Sequence, residues 1–171
     1  MCAKVLVFVD NGFEDIELLY PYYRLQEAGY EVDVVGHKSG EVYEGKHGIQ
    51  VESDYSPDEV DLTLFKGIVI PGGNAPDRMR TRPKLVKLVN EADEMGLVIA
   101  SICHGPQLLI EADVLEGKNL TCYKSVRTDV KNAGGKVHDE PVVVDGRLVT
   151  SRFPADLPHW MKETVKLLEE Q

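Results

Sequence analysis

The sequence predicts a doubly wound α/β sandwich, and three features of its patterning lead there. Lys4-Val-Leu-Val-Phe-Val9 and Phe65-Lys-Gly-Ile-Val-Ile70 are apolar, β-branched runs of the kind buried on both faces of a parallel sheet. Stretches with apolar residues at helical spacing separate such runs, so strand and helix alternate along the chain. Turn formers close the runs, Asp10-Asn-Gly12 after the first and Pro71-Gly-Gly73 after the other.

Taken in order, Lys4–Val9 is the first strand. Glu14 through Ala28 then places Ile16, Leu18, Leu19, Tyr22, Tyr23 and Leu25 close to helical spacing, and Pro21 inside it predicts a kink or two short pieces. Gly29 stops that helix, and Tyr30-Glu-Val-Asp-Val-Val35 is the second strand of a right-handed βαβ unit. Val42 and Val51 mark two short strands, read as an edge hairpin. Ser56-Pro57-Asp58-Glu59 carries a helix start with proline at the first helical position. Phe65–Ile70 is the third core strand. Arg82-Pro83 opens a helix with Leu85, Leu88, Val89 and Ala92 on one face, and Leu97 to Ala100 is the next buried strand. Gln107 to Ala112 reads as the first turns of a helix that ends near Gly117. Asn119–Tyr123 is a short strand, and Ser125 to Ala133 a helix that Gly134 and Gly135 terminate. Pro141–Val144 and Arg147–Thr150 form a hairpin, for which Asp145-Gly146 signals a type I′ turn. Pro154 to Glu170 is the last helix, with Leu157, Trp160, Met161, Thr164, Val165 and Leu168 facing the core.

Bulk composition sets the outer bounds. With 171 residues, no internal repeat and no linker, the chain reads as one domain over 1–171. A net charge of −10 leaves no room for a large basic face and argues against a general nucleic-acid binder. No apolar run approaches the roughly 20 residues of a membrane span. Met1-Cys-Ala-Lys4 leads directly into a strand without signal-peptide architecture. The 3 cysteines are irregularly spaced and form no disulfide framework, so the expectation is a reduced, cytoplasmic protein. Neither metal-ligand spacing among His37, His47, His138 and His159 nor a nucleotide-binding glycine motif is present, so no metal or cofactor is expected.

The chemistry points to Cys103. Gly96-Leu-Val-Ile-Ala-Ser-Ile-Cys-His-Gly-Pro106 runs from a buried strand into a helix, with the cysteine at the bend. Ser101-x-Cys103-x-Gly105 parallels the nucleophile elbow, in which small neighbours let the chain turn sharply and lift one side chain out. There the thiol faces a helix amide end, which favours the nucleophilic thiolate. The alternative is a packing cysteine, the role read for Cys122; nothing marks Cys2 as catalytic. In open α/β sheets, function gathers outside the carboxyl ends of the strands. Asn11-Gly-Phe-Glu-Asp15 and Pro71-Gly-Gly-Asn-Ala-Pro-Asp77 fall there too.

Phe13-Glu-Asp-Ile-Glu17, Pro71-Gly-Gly-Asn-Ala-Pro76 and Ala100-Ser-Ile-Cys-His-Gly-Pro106 resemble the PfpI family of intracellular proteases, within the wider DJ-1/PfpI superfamily. Lys46-His47-Gly48 and Ser151-Arg-Phe-Pro-Ala-Asp156 add to the resemblance, which covers nearly the whole chain. It implies a flavodoxin-like three-layer α/β/α sandwich with a mostly parallel sheet, similar to class I glutamine amidotransferase domains. It also implies a homo-oligomer (dimer, trimer or hexamer) with the site near a subunit interface. Carried over, Cys103 is the nucleophile and His104 its base. The third triad member, a glutamate from a neighbouring subunit in PfpI enzymes, corresponds to Asp77, one methylene shorter; a surface aspartate is the alternative. Glu14 corresponds to the acid that contacts the sulfur, where burial and like charge favour the protonated form; its alternative role is to cap the first helix. The amides of Gly73 and His104 are the oxyanion-hole candidates, the alternative for Gly73 being a tight turn. Tyr123 lines the pocket by the same analogy, or packs in the core.

These residues support a cofactor-independent thiol enzyme acting on reactive carbonyls, as superfamily glyoxalases and protein deglycases do, or on peptides. Its partners would be a small aldehyde, glycated protein or peptide, with no specific nucleic acid and no membrane. Peptide hydrolysis ranks lower because it depends on a well-oriented base, hence on Asp77. The reading from another class is a redox-sensing stress protein or chaperone in which Cys103 is oxidised.

Overall fold

In the computed structural model, which describes residues 3–171, a six-stranded sheet forms the middle layer. The elements run β1 (Lys4–Phe8), α1 (Asp15–Glu27), β2 (Glu31–Val35), β3 (Val42–Glu44), β4 (Gln50–Glu52), β5 (Phe65–Ile70), α2 (Ala75–Met79) and α3 (Pro83–Glu94). They continue as β6 (Val98–Ile102), α4 (Pro106–Glu111), β7 (Asn119–Leu120), α5 (Arg127–Asn132), β8 (Lys136–Val137), β9 (Val143–Asp145), β10 (Leu148–Ser151) and α6 (Leu157–Glu169). The strand order is β2-β1-β5-β6-β10-β9, parallel throughout except for β9. β3–β4 and β7–β8 are separate two-stranded pairs.

Chain order explains the layers. The β1-to-β2 crossover moves one way along the sheet, and the β5-to-β6 crossover moves the other. Right-handed connections therefore place their helices on opposite faces. Accordingly α1 packs with α6, and α3 packs with α4. The direction reverses between β1 and β5, so the loops after β1, β5 and β6 meet at one sheet edge. Val5–Phe8 and Ile68–Ile70 are buried, as two-sided strands must be. The helix faces read from spacing are the buried ones in α3 (Leu85, Leu88, Val89, Ala92) and α6 (Leu157, Trp160, Met161, Thr164, Val165, Leu168).

The structure corrects several local expectations. α1 continues through Pro21, which lies buried within it. Its inward face carries Asp15, Glu17, Leu18, Pro21 and Leu25, whereas Ile16 and Tyr23 are 48% and 61% exposed. Apolar spacing therefore misjudged this helix, because its inward residues serve the site as well as the core. Ser56-Pro57 starts only a 3-10 turn, Pro57–Glu59, closed by a capping box in which Glu59 accepts from Ser56 N–H at 2.8 Å. Strand pairing of Asn119–Tyr123 covers only Asn119–Leu120, and the following helix begins as a 3-10 turn at Lys124. In the β9–β10 hairpin Asp145 pairs with Leu148, so the turn residues are Gly146 and Arg147. Of these only Gly146 has positive φ, 59°, the pattern of a type II′ turn instead of I′.

Candidate active site

β6 delivers Cys103 to the sheet edge at φ 61°, the left-handed region that costs an L-residue about 1–2 kcal/mol. Backbone bonds hold that conformation from both sides: Cys103 N–H donates to Ser151 O at 3.0 Å, and Tyr123 N–H donates to Cys103 O at 2.9 Å. The small residues around the bend are sterically required. A methyl group on Gly105 would lie 2.4 Å from Ser101 Oγ and 2.9 Å from the Ile70 carbonyl. One on Gly72 would lie 2.5 Å from Glu17 Oε2 and 2.7 Å from Cys103 Cβ.

The loops after β1 and β5 are zipped together over the bend. Asn74 N–H donates to Gly12 O at 2.8 Å, Glu14 N–H donates to Gly72 O at 3.1 Å, and Phe13 bridges Gly73. This turns the Gly73 and His104 amides toward the Cys103 sulfur, where both favour its charged form. Gly73 adopts φ 78°, and a methyl there would lie 2.4 Å from Glu14 N and 2.5 Å from Gly12 O. Gly73→Ala is therefore expected to lower the melting temperature and cut turnover by about 10²-fold, the worth of one oxyanion donor. Calorimetry and steady-state kinetics on the same preparation check both effects.

The acid beside the thiol is Glu17, not Glu14. Glu17 is fully buried, and its Oε2 accepts from Gly72 N–H at 2.8 Å. Its Oε1 is buried without a hydrogen-bond partner, and the carboxyl is close enough to the Cys103 thiol for each to shift the other's ionisation. Burial pushes the Glu17 carboxyl up to about 7, against the pull of the Gly72 amide. A proton on Oε1 would make that orphaned oxygen a hydrogen-bond donor. Glu14, by contrast, is the residue before the helix, with extended φ −72° and ψ 114°. That backbone carries its side chain outward, where it meets Lys46 Nζ at 3.2 Å and His47 Nε2 at 3.1 Å. The expected capping role is absent as well, since Glu14 makes no side-chain cap hydrogen bond.

Burial and the Glu17 charge push the Cys103 thiol up, while the Gly73 and His104 amides pull it down. The short helix α4 does not give the depressed thiol that the elbow pattern suggested. A thiolate in this setting requires the proton of the pair to sit on Glu17, where the repelling charge is gone and the carboxyl can donate to sulfur.

His104 reaches the thiol although it is adjacent in sequence: its Nδ1 lies 3.2 Å from Cys103 Sγ, and its Nε2 lies 3.2 Å from Ser125 Oγ. The imidazole stacks on Tyr123 with ring centres 4.9 Å apart. Burial, then the Lys46 charge, lower its pKa, so the ring is neutral at pH 7 and one nitrogen is free to accept a proton. Ser125 is thus the group that orients His104 within the chain. Asp77 lies exposed on α2 and bonds to no described residue. Cys122 is buried in the core, where burial pushes its thiol up to about 11, and Cys2 lies outside the described residues. Among the described residues, no group of three or more His, Cys, Asp or Glu side chains is arranged to hold a metal ion. Nor is any helix long and apolar enough to cross a membrane.

The DJ-1/PfpI family model matches residues 3–167. The chain belongs to the DJ-1/PfpI family. Deglycase TK1284 of Thermococcus kodakarensis is 49% identical over 165 residues, covering 96% of this chain and 99% of that protein. The putative cysteine protease YraA of Bacillus subtilis is 40% identical, covering 99% of this chain and all of its own length (100%). Among solved structures, a two-domain protein of Anabaena variabilis with DJ-1/ThiJ/PfpI-like and ferritin-like domains superposes with a TM-score of 0.96 at 42% identity. That match covers 98% of this chain and 48% of the other. The DJ-1/PfpI fold agrees with the flavodoxin-like sandwich expected from the sequence motifs.

Proposed function

We propose that this protein is a thiol enzyme that acts on reactive α-dicarbonyls and their adducts, a deglycase or glyoxalase in type. The observation that carries the reading is a strained cysteine whose sulfur meets a buried carboxyl and two backbone amides. With methylglyoxal, the Cys103 thiolate adds to the aldehyde carbon. The carbonyl electron pair becomes an alkoxide, held by the Gly73 and His104 amides and protonated by Glu17. The hemithioacetal needs only internal proton transfers, through the Glu17 carboxylate or His104, to become a lactoyl thioester. Water then releases lactate and regenerates the thiol. No oxidant or reductant enters. An adduct of methylglyoxal on a protein side chain presents the same type of carbonyl, and the deglycase name of the Thermococcus relative supports this substrate class.

Peptide hydrolysis, suggested by the name of the Bacillus relative, makes a heavier demand on His104. The leaving amine must be protonated by an imidazolium, yet burial and Lys46 disfavour that cation and Ser125 offers only a hydroxyl. Asp77 of a second copy would have to supply the charge. The test is lactate release from methylglyoxal and cleavage of a fluorogenic peptide, with the wild type and Asp77→Ala. Lactate release retained in Asp77→Ala supports the carbonyl reading. Peptidase activity lost in that variant supports the triad instead. Peroxide-dependent mass gain at Cys103 without turnover of either substrate would replace both readings with redox sensing.

We propose further that the protein is a homo-oligomer. α1 presents Ile16, Leu19, Tyr20 and Tyr23 to solvent around a shallow apolar depression, a face suited to a second copy. Light scattering should give a multiple of the 19.1 kDa chain mass for the wild type and a smaller particle for Tyr23→Glu.

A further inference from the structure

On the far side of Tyr123 lies a cavity of about 470 Å³ that the chemistry above does not use, lined by Tyr123, Lys124, Arg127, Asp139, Arg152 and Phe153. Its walls hang from the nucleophile itself. Tyr123 bonds the Cys103 carbonyl and Ser151 accepts from the Cys103 N–H, and Lys124 and Arg152 are the next residues in each case. In a chain of net charge −10, three cations facing one carboxylate make this a local positive site.

The arrangement of the donors is specific. Arg127 and Arg152 converge on one oxygen, Asp139 Oδ1, at 2.7 and 3.0 Å. Asp139 is the exposed partner, its side chain 60% accessible against 32% for Arg127 and 19% for Arg152. Arg152 is fixed independently: its Nε and a terminal nitrogen donate to Asp156 at 2.8 and 3.1 Å, and it lies 4.7 Å over the Phe153 ring. Arg127 keeps a buried Nε with no partner. The exposed Lys124 bonds to no described residue. Two guanidinium planes meeting at one oxygen match the demands of a phosphate or carboxylate, and here a displaceable side chain occupies the meeting point.

We propose that this cavity binds an oxyanion, phosphate or carboxylate, carried by the molecule whose carbonyl reacts at Cys103, and that Asp139 is the internal oxyanion it displaces. The proposal rests on the dicarbonyl reading of Cys103 and adds the substrate's second functional group. Stacked Tyr123 and His104 form the partition between the two halves of the site.

The test compares three α-dicarbonyls: neutral 2-oxopentanal, 4,5-dioxopentanoate with its carboxylate, and hydroxypyruvaldehyde phosphate. In Lys124→Gln/Arg127→Gln, KM should rise about tenfold or more for the charged substrates, the worth of one or two charge-assisted hydrogen bonds, and stay unchanged for 2-oxopentanal. Asp139→Asn should move the other way, lowering KM for the charged pair several-fold. Which charged substrate responds more identifies the oxyanion. Calorimetric titration with inorganic phosphate and with acetate adds a readout independent of turnover. The wild type and Cys103→Ser should bind at least one of them, and the double variant neither. Equal effects on all three substrates, a raised KM in Asp139→Asn, or anion binding indifferent to Arg127 would overturn the proposal. Failure of the wild type to turn over any of the three, with Arg127-dependent anion binding intact, would instead sink the reading of Cys103.

Discussion

Glu17→Gln should slow lactate release from methylglyoxal by about 10²–10⁴-fold, the usual worth of a positioned acid–base group, while Glu14→Gln should change it by less than about threefold. The two acids are three positions apart in one short segment, and the difference lies wholly in where their backbones send them. Glu17 is sealed beneath Gly72 with one oxygen left unbonded, and Glu14 is tied to Lys46 and His47. Gln keeps the size and the Gly72 bond but cannot give up a proton, so the variant isolates the acid function from packing. The same substitution has a signature in stability. Below pH 4.5 Glu17 is protonated in both folded and unfolded chains, and its burial carries no charge penalty. As pH rises from 4.5 to about 7, the unfolded chain releases the proton and the folded one keeps it, so stability falls across this window and is lowest above it. At 1.36 kcal/mol per pH unit the loss is ~3 kcal/mol. Urea unfolding at a series of pH values should show that slope in the wild type and a flatter profile in Glu17→Gln.

Cys103→Ser should abolish turnover, a loss of about 10³-fold or more, with circular dichroism and oligomer size unchanged. Serine fits the elbow, since it replaces one atom and leaves the backbone bonds to Ser151 and Tyr123 in place. What it lacks is an ionisable group that can share a proton with Glu17 at neutral pH. An alcohol at this position keeps its proton whatever the carboxyl does, so neither addition to the carbonyl nor the thioester stage can proceed. His104 cannot compensate, because its neutral imidazole is a weak base in a buried setting.

The sheet was legible because two-sided burial leaves an unbroken apolar run, as at Val5–Phe8 and Ile68–Ile70. α3 and α6 were equally plain, since their inward faces do nothing but pack. The strand-turn-helix pattern around Cys103 also carries its own logic, because Gly72 and Gly105 leave no space for a larger residue. α1 was misread because it packs and serves the site at once: its inward face carries Asp15 and Glu17, and Asp15 accepts the His47 and Ile49 amides at 3.1 Å and so holds the β3–β4 loop against the helix. Glu17 lies within the helix and Glu14 just before it, so helical spacing fixes the facing of Glu17 alone. With the start at Asp15, Glu17, Pro21 and Leu25 fall at four-residue intervals on the buried stripe, and that spacing is the signal that could have found Glu17. Ser125 and Arg127 gave no local signal, and Arg152 stood only within the segment Ser151–Asp156 that carries the family resemblance. They come together only when the chain after β7 and the end of β10 meet beside Cys103.

The proposed chemistry needs one shared proton between Cys103 and Glu17, and the rate of Cys103 alkylation by iodoacetamide against pH measures it directly. With a shared proton, the wild type and Glu14→Gln should gain reactivity as pH rises through about 7, the range to which burial raises the Glu17 carboxyl. Glu17→Gln should show no inflection there and react only where an isolated thiol ionises. The same inflection near 7 in Glu17→Gln, or its loss in Glu14→Gln, would contradict the assignment.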